Sequence, residues 1–193
     1  MARRGERAAA KAEGLGLAPD GARLDSYEPG RRAAEVGVLF ADLESFLPAL
    51  LGEVMEHQRR GEQALPIEGP FPIALQERIG REVMGLMGFD FAHGRLDVSH
   101  HPFTGGVPDD SRITTRYDER DFTESLMATI HQTGHSLYER GLPKEWRTQP
   151  VGRARGMTIH EGQSLLLEKQ AAGTATRRPT RVARYETAVI ADR

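Results

Sequence analysis

Apolar positions recur at helical spacing along most of this chain. Val36, Leu39, Phe40, Leu43, Leu47, Leu50, Leu51 and Val54 form one stripe, which predicts a long amphipathic helix over Ala33 to Arg60. Pro48 lies inside it and predicts a kink or a break, because proline removes a backbone donor and crowds the preceding turn. Ile79, Val83 and Met87 predict a helix over Ile73 to Met87. Phe122, Leu126, Ile130 and Leu137 predict another over Asp121 to Arg140. Its ends are well marked. Asp118, Glu119 and Asp121 suit the positive end of the helix dipole. Arg140 sits in the last turn, Gly141 is a C-cap candidate and Pro143 stops the run. Further helices are predicted over Arg4 to Glu13 and over Met157 to Glu168.

Turn signals separate these stretches. Pro29-Gly30 and Gly69-Pro70-Phe71-Pro72 are turns. The loop from Gly141 to Gly156 carries Pro143, Pro150 and Gly152, and would let the helix after it fold back beside Asp121 to Arg140. Arg112 to Tyr117 is rich in β-branched residues alternating with arginine and predicts a strand, able to pair a substrate backbone along its edge. Gly88 to Pro108 is irregular, with Arg95 to Ser99 as a candidate short strand. The expected fold is mainly α, with a short β element beside the Asp121 to Arg140 helix. At 193 residues, a single domain is expected over 1–193.

Composition narrows the function classes. Twenty-six basic against twenty-eight acidic residues leave a net charge of −2, which disfavours a general nucleic-acid binder. No apolar run is long enough to span a membrane, and the first residues lack an apolar signal core, so no membrane partner is expected. The sequence has no cysteine, which excludes disulfides and thiolate metal sites and suits a cytoplasmic setting.

The densest chemistry lies in His131-Gln132-Thr133-Gly134-His135. Residues i and i+4 of a helix share one face, so both imidazoles can reach one zinc ion. The pattern is one residue away from HExxH, in which the glutamate is the general base toward the attacking water. Gln132 holds that position, and an amide oxygen has no useful basicity near neutral pH. With seven histidines in the chain, an HxxxH pair also arises by chance, so its context decides. Catalytic zinc needs a third protein ligand. Glu161 is the best candidate, and adjacent His160 competes with it. Neighbours on a helix point about 100° apart, so only one of them can join the histidine pair. The other reading of His160 is a polar residue near the site or on the surface. Glu139 shares the face of Gln132, two turns on, and reads as a solvated charge.

Four ordered motifs give these residues a family context. They are His101-Pro102-Phe103, Asp110-Ser111-Arg112-Ile113-Thr114, His131 to His135, and His160-Glu161-Gly162-Gln163. Together they resemble HPF, DxRxT, HExxH and HE[S/G]Q of the carboxypeptidase Taq family of zinc metallocarboxypeptidases. Leu24 to Gly30 also resembles a family segment. The resemblance covers about 11–170 and implies the central portion of a mostly helical peptidase that removes C-terminal residues from peptides. It implies His131, His135 and Glu161 as ligands of Zn2+ or another divalent metal, with Gln132 at the base position. It places Arg112 and His101 in motifs near the active site, where they are candidate substrate-binding residues. Family members are typically homodimers without a secretory signal.

The chain departs from that pattern in three ways. Gln132 removes the base, so turnover is expected to be low while metal binding survives. Family members are more than twice as long, and their later motifs, IRxxAD and GxxQDxHW, have no counterpart here. The basic, proline-broken tail 171–193 and residues 1–10 are unmatched. A fragment of a larger helical fold would expose apolar faces and self-associate, be unstable, or be complemented by another chain. The alternatives to an impaired carboxypeptidase are a non-catalytic zinc- or peptide-binding pseudopeptidase and a metal-free helical remnant.

Overall fold

A computed structural model describes residues 2–61 and 68–171. They fall into two compact units, one within Met1–Ile67 and one within Glu68–Arg193. The tail 171–193 lies almost wholly outside the described residues. The architecture is mainly α, as the periodicity predicts. No described helix is long and apolar enough to cross a membrane.

The first unit holds α1 (Ala2–Leu15), α2 (Pro19–Leu24) and α3 (Ala33–Arg60). Helices α1 and α2 meet through small side chains, with Ala8, Ala12 and Ala22 buried. Lys11 Nζ ties them together, 2.9 Å from Ser26 Oγ and 3.1 Å from Asp25. Helix α3 has the predicted bounds but runs unbroken through Pro48. A proline removes one rung of the ladder, and the rungs on either side keep this helix continuous. Its apolar stripe is not a core. Leu39, Phe40, Leu43, Leu47, Leu50, Leu51 and Val54 are all exposed, and no residue of α3 is buried.

The second unit is built on α4 (Ile73–Leu86), a three-stranded sheet and two further helices. The strands are β1 (Gly94–Val98), β2 (Phe103–Val107) and β3 (Asp110–Thr115), in the order β1-β3-β2. Strand β1 runs parallel to β3, with Leu96 opposite Ile113, and β2 runs antiparallel to it, with Thr104 opposite Ile113. The sequence predicts β1 and β3 to within two residues but not β2, which falls in the stretch read as irregular. Gly105 and Gly106 lower its strand propensity. Gly106 has a left-handed φ of 103°, and a Cβ there would lie 2.2 Å from the Asp110 carbonyl oxygen. Only glycine permits so tight a return into β3.

Side chains alternate along β3. Ser111, Ile113 and Thr115 point toward α5 (Phe122–Gly141), while Arg112 lies on the other face and is exposed. Ser111 Oγ is 2.7 Å from Ser136 Oγ, and Thr115 Oγ1 donates to the Ser125 carbonyl at 3.2 Å. One core cluster joins Met84, Phe89, Leu96 and Ile113 between α4 and the sheet. A second joins Phe71, Ile79, Val83, Phe122, Leu126 and Ile130 between α4 and α5.

Helix α5 starts at the predicted place because the Asp121 side chain accepts from the Thr123 backbone N–H at 2.8 Å. It is covered on more than its apolar stripe, since Thr129, Thr133 and Ser136 are fully buried too. The threonines satisfy their hydroxyls on carbonyls one turn back, at 2.8 Å and 2.7 Å. The predicted helix Met157 to Glu168 is realised as α6 (Met157–Leu165), continued by a π-helical turn over Leu166–Ala171. It packs on α5 at Gly134. A Cβ at that glycine would lie 2.6 Å from the Ser164 Cα, so the two backbones approach too closely for any side chain. Ser164 is itself fully buried and donates to the Glu161 carbonyl at 2.8 Å.

Candidate metal centre

The close crossing of α5 and α6 faces Glu161 toward the histidine pair. His131 and His135 stand one turn apart on α5, with their Nε2 atoms 3.1 Å apart. Glu161 Oε1 lies 3.4 Å from His131 Nε2, and its Oε2 lies 3.3 Å from His135 Nε2. These three side chains can offer ligand atoms that all lie within 4.8 Å of one another. Two neutral imidazoles and one carboxylate are a donor set suited to a divalent cation such as zinc. The residues therefore fit a metal on their chemistry and on their convergence.

Around the triad, other groups hold the rings from behind. His131 Nδ1 is 2.8 Å from Glu168 Oε2. His135 Nδ1 is 2.7 Å from His160 Nδ1, and His160 Nε2 is 2.7 Å from Glu139 Oε1. His160 thus sits behind the site, as its position next to Glu161 allows. Glu139 is not a purely solvated charge, since it holds His160. Burial, reinforced by His131 and His160, lowers His135 below the ordinary histidine value. Burial pushes Glu168 up, but hydrogen bonds from Lys169 and His131 outweigh it and leave the carboxyl below its usual range.

The family described as carboxypeptidase Taq (M32) metallopeptidase matches residues 1–176. The chain belongs to this family. The match extends past 11–170 at both ends and takes in the first ten residues. Thermostable carboxypeptidase 1 of Thermus thermophilus is 42% identical over 144 residues, covering 74% of this chain and 28% of that protein. Carboxypeptidase 1 of Bacillus subtilis is 34% identical over 151 residues, covering 78% of this chain and 30% of that protein. The structure of Trypanosoma cruzi metallocarboxypeptidase 1 superposes with a TM-score of 0.81 at 46% identity, over 86% of this chain and 33% of that one. The chain spans about three tenths of the length of the curated relatives it matches. Membership of a metallopeptidase family implies a divalent metal, and the triad is where this chain can hold one.

Within this M32 chain His135, of the three, borders a cavity of about 530 Å³. Its lining includes Phe103, Thr104, Gln132, His135, Glu139 and His160. Gln132 therefore faces the same space as His135. The Thr104 hydroxyl lies 2.8 Å from the Gln132 carbonyl oxygen and 2.9 Å from its Oε1, which pins β2 to α5 at Gln132. The remaining candidates lie elsewhere. Arg112 projects from the sheet face away from α5 and pairs with Asp110 at 2.6 Å. The His101 side chain is exposed, and its carbonyl accepts from Ser99 Oγ at 2.6 Å. Of that motif, Pro102 and Phe103 line the cavity.

The sign of the pH dependence follows from the two lowered groups. Each has a folded pKa below its unfolded value, so the unfolded chain binds more protons in between. Stability is then lost as pH falls below the ordinary 6.5 of histidine for His135, and below the ordinary 4.5 for Glu168. The melting temperature of the metal-free protein should fall as pH drops from about 7 to about 5, and His135→Ala should flatten that slope. Equal slopes in the two proteins would show that His135 carries none of it.

Proposed function

We propose that this chain forms the metal-binding core of a zinc-dependent metallocarboxypeptidase, with hydrolysis impaired at Gln132. His131, His135 and Glu161 are the ligands in this reading. The observation that carries it is their convergence, with both Nε2 atoms turned to the same carboxylate. A zinc ion held by these three residues would supply Lewis acidity toward a scissile carbonyl and toward the attacking water.

The other roles fall to residues of the cavity. Strand β2 is at the sheet edge, and among the described residues it pairs only with β3, so its free side can align a peptide backbone beside His135. This moves the edge-pairing role from the strand the sequence suggests, which is central, to β2. A glutamate at position 132 would take the proton from the attacking water and later deliver it to the leaving amine. Gln132 offers only an amide oxygen, already accepting from Thr104. Arg112 receives no role here, because Asp110 and the opposite sheet face hold it. Cleavage at peptide C-termini is supported by the relatives' names, each a carboxypeptidase. The same glutamine favours one second reading, a pseudopeptidase that binds metal and peptide without turnover.

Gln132→Glu separates the two. General base catalysis contributes about 10²–10⁴-fold, so the variant should release free amino acid from a short peptide at a rate higher by about that factor. Turnover equal to that of the parent, with metal bound in both, would contradict impairment at Gln132 and favour the pseudopeptidase.

Self-association also belongs to this proposal. The exposed stripe of α3 is a long apolar surface, and such surfaces drive association. Sedimentation should show dimers or larger species, and Leu47→Glu with Leu51→Glu should shift them toward monomer. A parent protein that sediments as a monomer would refute it.

A further inference from the structure

Two hydrogen-bond chains reach the back of the histidine pair, and each ends on a carboxylate. One is direct, from His131 Nδ1 to Glu168 at 2.8 Å. The other passes through a second ring, from His135 Nδ1 to His160 Nδ1 at 2.7 Å and from His160 Nε2 to Glu139 at 2.7 Å. An ionised carboxylate can only accept. Glu168 therefore requires a proton on His131 Nδ1. Glu139 requires one on His160 Nε2, which leaves a lone pair on the Nδ1 of neutral His160. That lone pair requires a proton on His135 Nδ1. Both chains favour a proton on Nδ1 and so turn the Nε2 lone pairs of His131 and His135 toward Glu161, against the competing 3.1 Å contact between the two Nε2 atoms, which needs a proton on one of them.

We propose that Glu168, and His160 held by Glu139, are positioning residues that fix the tautomer and ring orientation of the two histidine ligands. This rests on the metal-site reading. The surroundings fit the role. His131, His135, Glu168 and His160 are all largely shielded, so water competes weakly for these bonds. The tilted Tyr138 ring lies 4.5 Å from His160 between centroids and limits rotation of that ring. The π-helical turn has a part as well, because Glu168 belongs to it. The sequence shows none of these partnerships, since Glu168 is far along the chain from His131.

The test reads tautomers in the full, metal-free chain by 15N NMR of the histidine rings at about pH 8, where a free imidazole is neutral. Parent His131 and His135 should both carry the proton on Nδ1. Glu168→Ala should release His131 toward the Nε2–H form that free imidazole prefers, leaving His135 unchanged. His160→Phe should do the reverse. Zinc affinity, measured by competition with a chromogenic chelator, should fall about 10–100-fold in each. His160→Gln should recover most of the loss, because its amide oxygen can still accept from His135. Nε2–H tautomers in the parent would overturn the proposal, as would parent-like tautomers and zinc affinity in the folded variants. If His160→Phe does not fold, Glu139→Ala decides the same point from the half-exposed end of the chain. A parent that binds no zinc counts against the metal-site reading alone, since the tautomers are read without metal.

Discussion

The approach of α6 to α5 at Gly134 is the constraint on which the site depends. A Cβ at that position would meet the Ser164 Cα at 2.6 Å, and a backbone atom cannot swing aside. The missing side chain lets two helices touch backbone to backbone, and Ser164 is fully buried at the contact. Glu161 lies one turn before Ser164 and so comes within 3.4 Å of both histidines. Glu168 lies one turn after it and reaches the back of His131. A single close crossing thus sets Glu161 before the two histidines and Glu168 behind His131 at once.

Polar groups then give the crossing its chemistry. Helix α5 buries Thr129, Thr133 and Ser136 as well as its apolar stripe, and their hydroxyls are all satisfied. The helix is therefore clamped by the sheet, α4 and α6, which is what a site needing fixed imidazoles demands. In the proposed reading, Gln132 removes basicity while leaving His131, His135 and Glu161 together. It faces the cavity, keeps a hydrogen bond to Thr104 and lacks only a basic oxygen.

Much of this was legible in the chain. Helical periodicity predicts α3, α4 and α5 to within a residue or two at most ends. The i, i+4 histidines and downstream Glu161 are the residues the structure draws together. What was not legible has physical reasons. Strand β2 is masked by two glycines that weaken its propensity and make its turn. The motif suggests Arg112 as a substrate contact but does not show its setting, and a period of two places it on the sheet face away from α5, paired with Asp110. The stripe of α3 resembles a core face, and periodicity cannot say whether anything covers it. Glu139 reads as a solvated charge and Glu168 only as a helix end, because only the folded helices set them against ring nitrogens.

The most direct measurement is bound zinc per chain, by elemental mass spectrometry after gel filtration in the presence of zinc. It compares the parent with His135→Ala and Gly134→Leu. Leucine is a good helix former, so any loss in the latter reports the crossing and not helix propensity. The account predicts about one zinc per parent chain and little in either variant. A parent without zinc, or a folded Gly134→Leu that binds it as the parent does, would contradict it.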